Sequence, residues 1–210
     1  MSGRNFTDAT DSQAPDLCHK EALPSLVPGK AEIVRNHEVQ FYSDDASILV
    51  GLTRFIEAAL EAGSAVIVVA TESHRNGLSQ RLQARNVGVA AAIEQGRYIP
   101  LDAAETLSTF MESAGPNWER FLSTFGALIR CAETVAEGKH KRVVVFGEMV
   151  AVLCAEGRMK AAIELEQLWN ELAQTHSFYR RCAYPMTEEL KGKPYATICA
   201  EHSAVLPAET

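Results

Sequence analysis

The chain has 210 residues, 47% hydrophobic and 22% charged, with 13 Gly and 8 Pro, which excludes collagen-like, low-complexity and wholly disordered chains. Its net charge of -7, from 27 acidic against 20 basic residues, argues against unassisted nucleic-acid binding, which depends on a basic surface. This length supports one domain, with or without a tail, and buries enough surface to need neither disulfide nor metal for its core.

Residues 1–33 mix Asp, Ser, Pro and Lys with few large apolar side chains and read as a flexible leader, followed by one domain over 34–207. EVQFY (38–42) reads as a strand. After it, Ile48, Leu52, Phe55, Ile56, Ala59 and Leu60 recur at helical spacing, with Ser43 or Asp44 as N-cap and Gly63 as the stop. AVIVVA (65–70) is a continuous apolar run, the mark of a strand covered on both faces, and a helix with Leu78 and Leu82 inward follows it. RYIPL (97–101) is the next strand, and Asp102 and Glu105 stand at capping-box spacing before Leu107 and Phe110.

From Pro116 to Gly138 a long helix is predicted, with Trp118, Phe121, Leu122, Phe125, Leu128, Ile129, Ala132 and Val135 at intervals of three and four. RVVVF (142–146) is a second buried strand. EMVAVLCAEG and MKAAIELEQLWNELAQ are helical, the latter with Ala161, Leu165, Leu168 and Leu172 on one face. FYRRCAY (178–184) and PYATICA (194–200) read as the last strands, their polar interruptions suggesting an edge or an antiparallel hairpin. The alternation predicts an α/β three-layer sandwich, a mostly parallel sheet of about five to seven strands with helices on both faces.

Five cysteines, Cys18, Cys131, Cys154, Cys182 and Cys199, form no CxxC pair, which points to reduced thiols and a cytoplasmic protein. The polar N-terminus lacks the apolar core of a signal peptide, and the longest apolar run, 143–155, is interrupted by Gly147 and Glu148 and too short to span a bilayer. No membrane partner is expected.

In an open parallel sheet, ligands bind beyond the carboxyl ends of the strands. That rule gathers Phe41, Tyr42, Ser43, Asp44, Asp45, Thr71, Glu72, His74, Asp102, Glu148, Cys182 and Tyr184 at one rim. Asp44, Asp45, Glu72 and Asp102 also stand where helices begin and where acids are favoured by the helix dipole, so capping competes with ligand contact for each. Glu148 directly follows VVVFG and precedes apolar Met149 and Val150, so burial is expected; such a carboxylate either caps its helix or meets a cation, hydroxyl or proton donor. His37 and His74 are either ordinary histidines or proton carriers and ligands. Trp169 reads as core, and Glu166 and Asn170, four apart, as a polar stripe bordering the apolar face.

The turn after the first strand, YSDDAS, has neither Gly nor Lys and carries two acids, so GxxxxGK[ST] is missing, as are GxGxxG, HExxH and GxSxG. Neither a helix-turn-helix nor a kinase signature is evident.

The segments HEVQFYSDD (37–45), GSAVIVVATESHRNGLSQRL (63–82), QGRYIPLDAAETLSTFM (95–111), FGEMVAVL (146–153), AAIELEQLWNEL (161–172), CAYP (182–185) and ICAEHSAVLP (198–207) resemble the MEDS domain, the methanogen/methylotroph DcmR sensory domain. The resemblance runs from His37 to Pro207. It implies kinship with RecA/KaiC-type ATPases, here with a degenerate P-loop, and a non-catalytic sensory role toward small hydrocarbon derivatives such as halomethanes. Carried over by motif, it points to His37, Phe41, Tyr42, Asp45, Glu148 and Cys182, to which Thr71, His74 and Tyr184 are added as wall residues. Three readings follow: a sensor of a small organic ligand without resident cofactor; a nucleotide binder or weak ATPase using ATP and magnesium; and a metal or redox sensor using His37, Cys182 and His202 with a carboxylate. Longer relatives continue into an output domain, so signalling is expected to pass through a partner such as a histidine kinase or transcription regulator, or through a homodimer.

Overall fold

Two strands of the sheet, AVIVVA and VVVFG, form where the chain is apolar without alternation. The computed structural model describes residues 37–137 and 142–206. The expected leader, with Cys18, and Gly138 and Pro207 lie outside the described residues. Strands β1 (His37–Tyr42), β2 (Ala65–Ala70), β3 (Tyr98–Asp102), β4 (Val143–Gly147), β5 (Tyr179–Pro185) and β6 (Ala204–Leu206) form one sheet in the order β3-β2-β4-β5-β1-β6. Every pairing is parallel. All strands therefore end at the same edge, and side chains two residues apart share a face.

Those two faces hold two cores. Val66, Val68 and Ala70 of β2 and Ala183 of β5 pack under α1 (Asp45–Glu61), α2 (Glu72–Ala84) and α3 (Val89–Glu94) through Ile48, Leu52, Ile56, Leu78, Leu82 and Val89. Ala65, Ile67 and Val69, with Val39, Phe41, Cys182 and Tyr184, face the larger layer. It comprises α4 (Ala103–Phe110), α5 (Trp118–Phe121), α6 (Ala127–Val135), α7 (Met149–Ala155), α8 (Met159–Leu172) and α9 (Lys193–Glu201). Trp169 on α8 anchors this face against Phe121, Phe125 and Phe178. A three-layer α/β sandwich results, as the apolar runs predict.

The helix starts follow local chemistry. Asp44 caps α1 by accepting from Ser47 N at 2.9 Å, Thr71 caps α2, and Asp102 caps α4 by accepting from Ala104 N and Glu105 N. Gly63, φ +78°, ends the α1 turn; a Cβ there would meet the Glu137 carbonyl oxygen at 3.0 Å. The long helix predicted from Pro116 is real but interrupted: a π turn over Leu122–Gly126 separates α5 from α6.

Two expectations are corrected. β5 is neither an edge nor a hairpin strand, because it lies between β4 and β1 and runs parallel to both. Its arginines find partners within the fold: Arg181 pairs with Glu38 at 3.0 Å and lies 3.9 Å over the Phe55 ring, while Arg180 is bound by the Trp169 carbonyl and the Asn170 side chain. PYATICA is helix α9 and not a strand. Gly192 at φ +76° turns the chain, Pro194 suits the first helical turn, and buried Ile198 and Cys199 follow Tyr195 at helical spacing. The last strand is the shorter β6 beyond it.

Candidate functional site

The residues gathered by sequence divide between two polar clusters. At the carboxyl edge, β4 ends at Gly147 and Glu148 follows, fully buried at 0% exposure, with its backbone N–H on the Val69 carbonyl at 2.9 Å. Glu148 makes no side-chain cap to its own helix. Its carboxylate crosses to the β2–α2 junction. Thr71 N donates to Oε2 at 3.0 Å, the Thr71 hydroxyl donates at 3.4 Å, and His74 Nδ1 meets Oε1 at 2.5 Å. The other ring nitrogen of His74, Nε2, lies 3.3 Å from Asp45 Oδ1. His74 is 6% exposed and Asp45 71%, so the chain of groups runs from a sealed carboxylate through an imidazole to solvent.

The Tyr42 ring stands edge-on to His74 with centroids 6.0 Å apart. The hydrogen bond from Glu148, aided by the charges of Glu148 and Asp45, raises the His74 pKa above its usual value against the effect of burial. Burial, then Glu148 and Asp45, push the Tyr42 hydroxyl up, so it remains a neutral donor. Of the other rim acids, Asp44 and Asp102 are caps, Asp102 also pairing with Arg75 at 2.8 Å, and Glu72 is exposed in the first turn of α2. The N-terminus of α1 thus holds acids where a phosphate would need free N–H groups.

His37, Phe41, Cys182 and Tyr184 lie apart from this rim, on the face covered by α8 and α9. Phe41 packs against the Tyr184 and Tyr195 rings in the core. The other three converge on Glu166 of α8, also 0% exposed. Tyr184 OH donates to Oε1 at 2.8 Å and the Cys182 thiol to Oε2 at 3.3 Å; His37 Nε2 is 3.1 Å from Oε2, and His202 Nε2 is 3.4 Å from Oε1. The His37 and His202 rings sit 3.8 Å apart. His37 Nδ1 is 3.1 Å from the Glu201 carbonyl oxygen and 2.6 Å from Arg180 Nη2.

Burial pushes His37 down to about 4 despite the pull of Glu166, so its imidazole is neutral near pH 7. Burial likewise pushes the Cys182 thiol and Tyr184 hydroxyl well up. Burial opposes ionisation of Glu166 too, yet His202 and His37 hold it well below the carboxylate range. The two directions agree only if donors, more than an imidazolium at His37, sustain the Glu166 charge.

Glu166 was legible only as a stripe residue. The available signal is its place between Ala162, Leu165 and Trp169, all buried on the same helix face: an acid inside an apolar stripe needs partners. An open groove lined by Glu112, Gly115, Asn117, Glu164 and Glu171 shares no residue with either cluster.

Among the described residues, no helix is long and apolar enough to cross a membrane. A family profile described as MEDS, MEthanogen/methylotroph, DcmR Sensory domain, matches residues 36–202. No curated protein matches the chain.

Proposed function

Because the chain belongs to the MEDS family, a family of sensory domains, we propose that it binds a small organic molecule at the rim formed by Glu148, His74, Thr71, Tyr42 and Asp45. The observation that carries this reading is Glu148: a wholly buried carboxylate at the carboxyl edge of a parallel sheet, joined through His74 to an exposed acid. Such a group recognises a hydroxyl, a proton donor or a cationic centre, and the surrounding acids disfavour anions. A small hydrocarbon derivative with one polar handle fits this chemistry. The role is binding and not catalysis, with the output carried by a partner such as a histidine kinase or transcription regulator, or by a homodimer.

A ligand shifts a signalling equilibrium only through differential affinity for two arrangements. Glu148 joins the β4–α7 turn to the β2–α2 turn, so a ligand that displaces His74 from it changes how α2 sits on the sheet. A nucleotide reading, ATP with magnesium, has less support because Asp44 already satisfies the first turn of α1.

The test begins with mass spectrometry of small molecules released from the natively purified chain. Calorimetry of the identified compound with wild type and Glu148→Gln then follows. Glu148→Gln is expected to bind at least about ten-fold more weakly, which corresponds to roughly 1.4 kcal/mol. Equal affinities would remove Glu148 from the site.

A further inference from the structure

Independently of the rim, the geometry points to a second, buried site for a divalent transition-metal ion of the zinc class, ligated by His37 Nε2, His202 Nε2, Cys182 Sγ and one carboxylate oxygen of Glu166. The four residues come from β1, the cap of α9, β5 and α8, and their ligand atoms lie within 4.8 Å of one another. His37 Nε2 is 3.1 Å from Glu166 Oε2 and 3.4 Å from Cys182 Sγ, which is itself 3.3 Å from Oε2. Tetrahedral zinc, with bonds of about 2.0–2.3 Å, sets its ligand atoms about 3.3–3.6 Å apart. One face of the tetrahedron is therefore present to within a few tenths of an ångström, and His202 Nε2, within 4.8 Å of its atoms, must move inward to complete it.

The decisive feature is His202. Its Nδ1 lies 2.7 Å from the Ile198 carbonyl oxygen, which only accepts, so the ring proton belongs on Nδ1. A neutral ring then aims the bare Nε2 lone pair at Glu166 Oε1, 3.4 Å away. Two acceptors face each other, and Nε2 has no hydrogen-bond partner although the side chain is fully enclosed. A cation between them resolves the conflict.

The outer contacts suit a metal. His202 Nδ1 on Ile198 O fixes the tautomer that presents its Nε2 inward, and Tyr184 OH orients Glu166. His37 Nδ1 lies 2.6 Å from the donor Arg180 Nη2 and 3.1 Å from the Glu201 carbonyl oxygen, so ligation through Nε2 moves the ring proton to Nδ1, toward Glu201, and turns Arg180 to its other acceptors, the Asn170 oxygen and the Trp169 carbonyl. One thiolate and one carboxylate balance the ion's two positive charges, as a sealed site requires. Thiolate with imidazole selects zinc or cobalt over magnesium or calcium. A bound ion would clamp α9, and the edge strand β6 that follows it, onto α8 and β5.

The test titrates the reduced, EDTA-treated full chain with cobalt(II) and follows its optical spectrum. One equivalent is expected to produce the intense visible bands of a tetrahedral site together with a sulfur-to-cobalt charge-transfer band, both abolished by zinc. Cys182→Ser should remove the charge-transfer band, His202→Gln should weaken cobalt binding at least ten-fold, and Cys131→Ser, at an exposed thiol, should change neither. Absence of the charge-transfer band in the wild type, or its survival in Cys182→Ser, overturns the proposal. Should Cys182→Ser fail to fold, X-ray absorption of the zinc-loaded wild type decides, because a first shell other than one sulfur and three nitrogen or oxygen atoms refutes the site.

Discussion

Glu148 and Glu166 are both 0% exposed, and each is met by histidine, yet the two are built for different behaviour. Glu148 sits on a strand-to-helix turn, and its partners, Thr71 and His74, come from the neighbouring turn. Beyond His74 lies Asp45, 71% exposed, so the cluster has a way out to water. Glu166 sits in mid-helix over the sheet and is ringed by His37, Cys182, Tyr184 and His202, all buried. The first arrangement can exchange a partner or a proton without opening the core, whereas the second cannot. Equal depth therefore does not mean equal behaviour; connection to solvent through a titratable group separates the two.

The largest expected effect comes from breaking the closed cluster. Glu166→Ala strands the Tyr184 hydroxyl and the Cys182 thiol without their shared acceptor and removes the charge beside both histidines, and removing one partner from a buried ionic network costs about 3–5 kcal/mol. Urea denaturation should show that loss, with Glu166→Gln retaining a good part of it. Glu148→Ala should cost less, about 1–3 kcal/mol, since water reaching the rim can re-satisfy Thr71 N and His74. If the two alanine variants were equally destabilised, the contrast between a sealed and a drained cluster would be wrong. Tyr184→Phe, which deletes one donor to Glu166 and leaves the ring packed on Phe41, should cost about 1 kcal/mol.

The contrast between the clusters also explains what could be read in advance. AVIVVA and VVVFG are so uniformly apolar that both faces must be covered, and once strands and helices alternate, the parallel sheet and its ligand edge follow. Glu148 was legible because it interrupts an apolar run at that edge. β5 was misread because Arg180 and Arg181 look solvated in one dimension; only the fold supplies Glu38 of β1, Trp169 and Asn170 of α8 and Phe55 of α1 as their partners. α9 was misread because a short apolar run carries no reliable period. His37 and Cys182 lie on β1 and β5, and the strand alternation directs them to the face under α8, away from the rim; the set of His37, Cys182 and His202 with a carboxylate does come together, and the carboxylate is Glu166, which no spacing rule singles out.

The smallest expected effect separates the clusters by pH. His74 has its pKa raised by Glu148 and Asp45, so the folded state binds the His74 proton more tightly than the unfolded chain does. Its contribution to stability is therefore fully present below the unfolded value, about 6.5, and fades as pH rises through the higher folded value. Urea midpoints measured from pH 6 upward should show this decline in the wild type and not in His74→Gln, which cannot be charged. Taking the difference between the two proteins cancels the titrations that are not coupled to His74, including those around Glu166. A difference that stayed flat across that range would mean that His74 holds Glu148 as a neutral donor at all these pH values, and the rim would lose the titratable link to solvent that distinguishes it from the closed cluster.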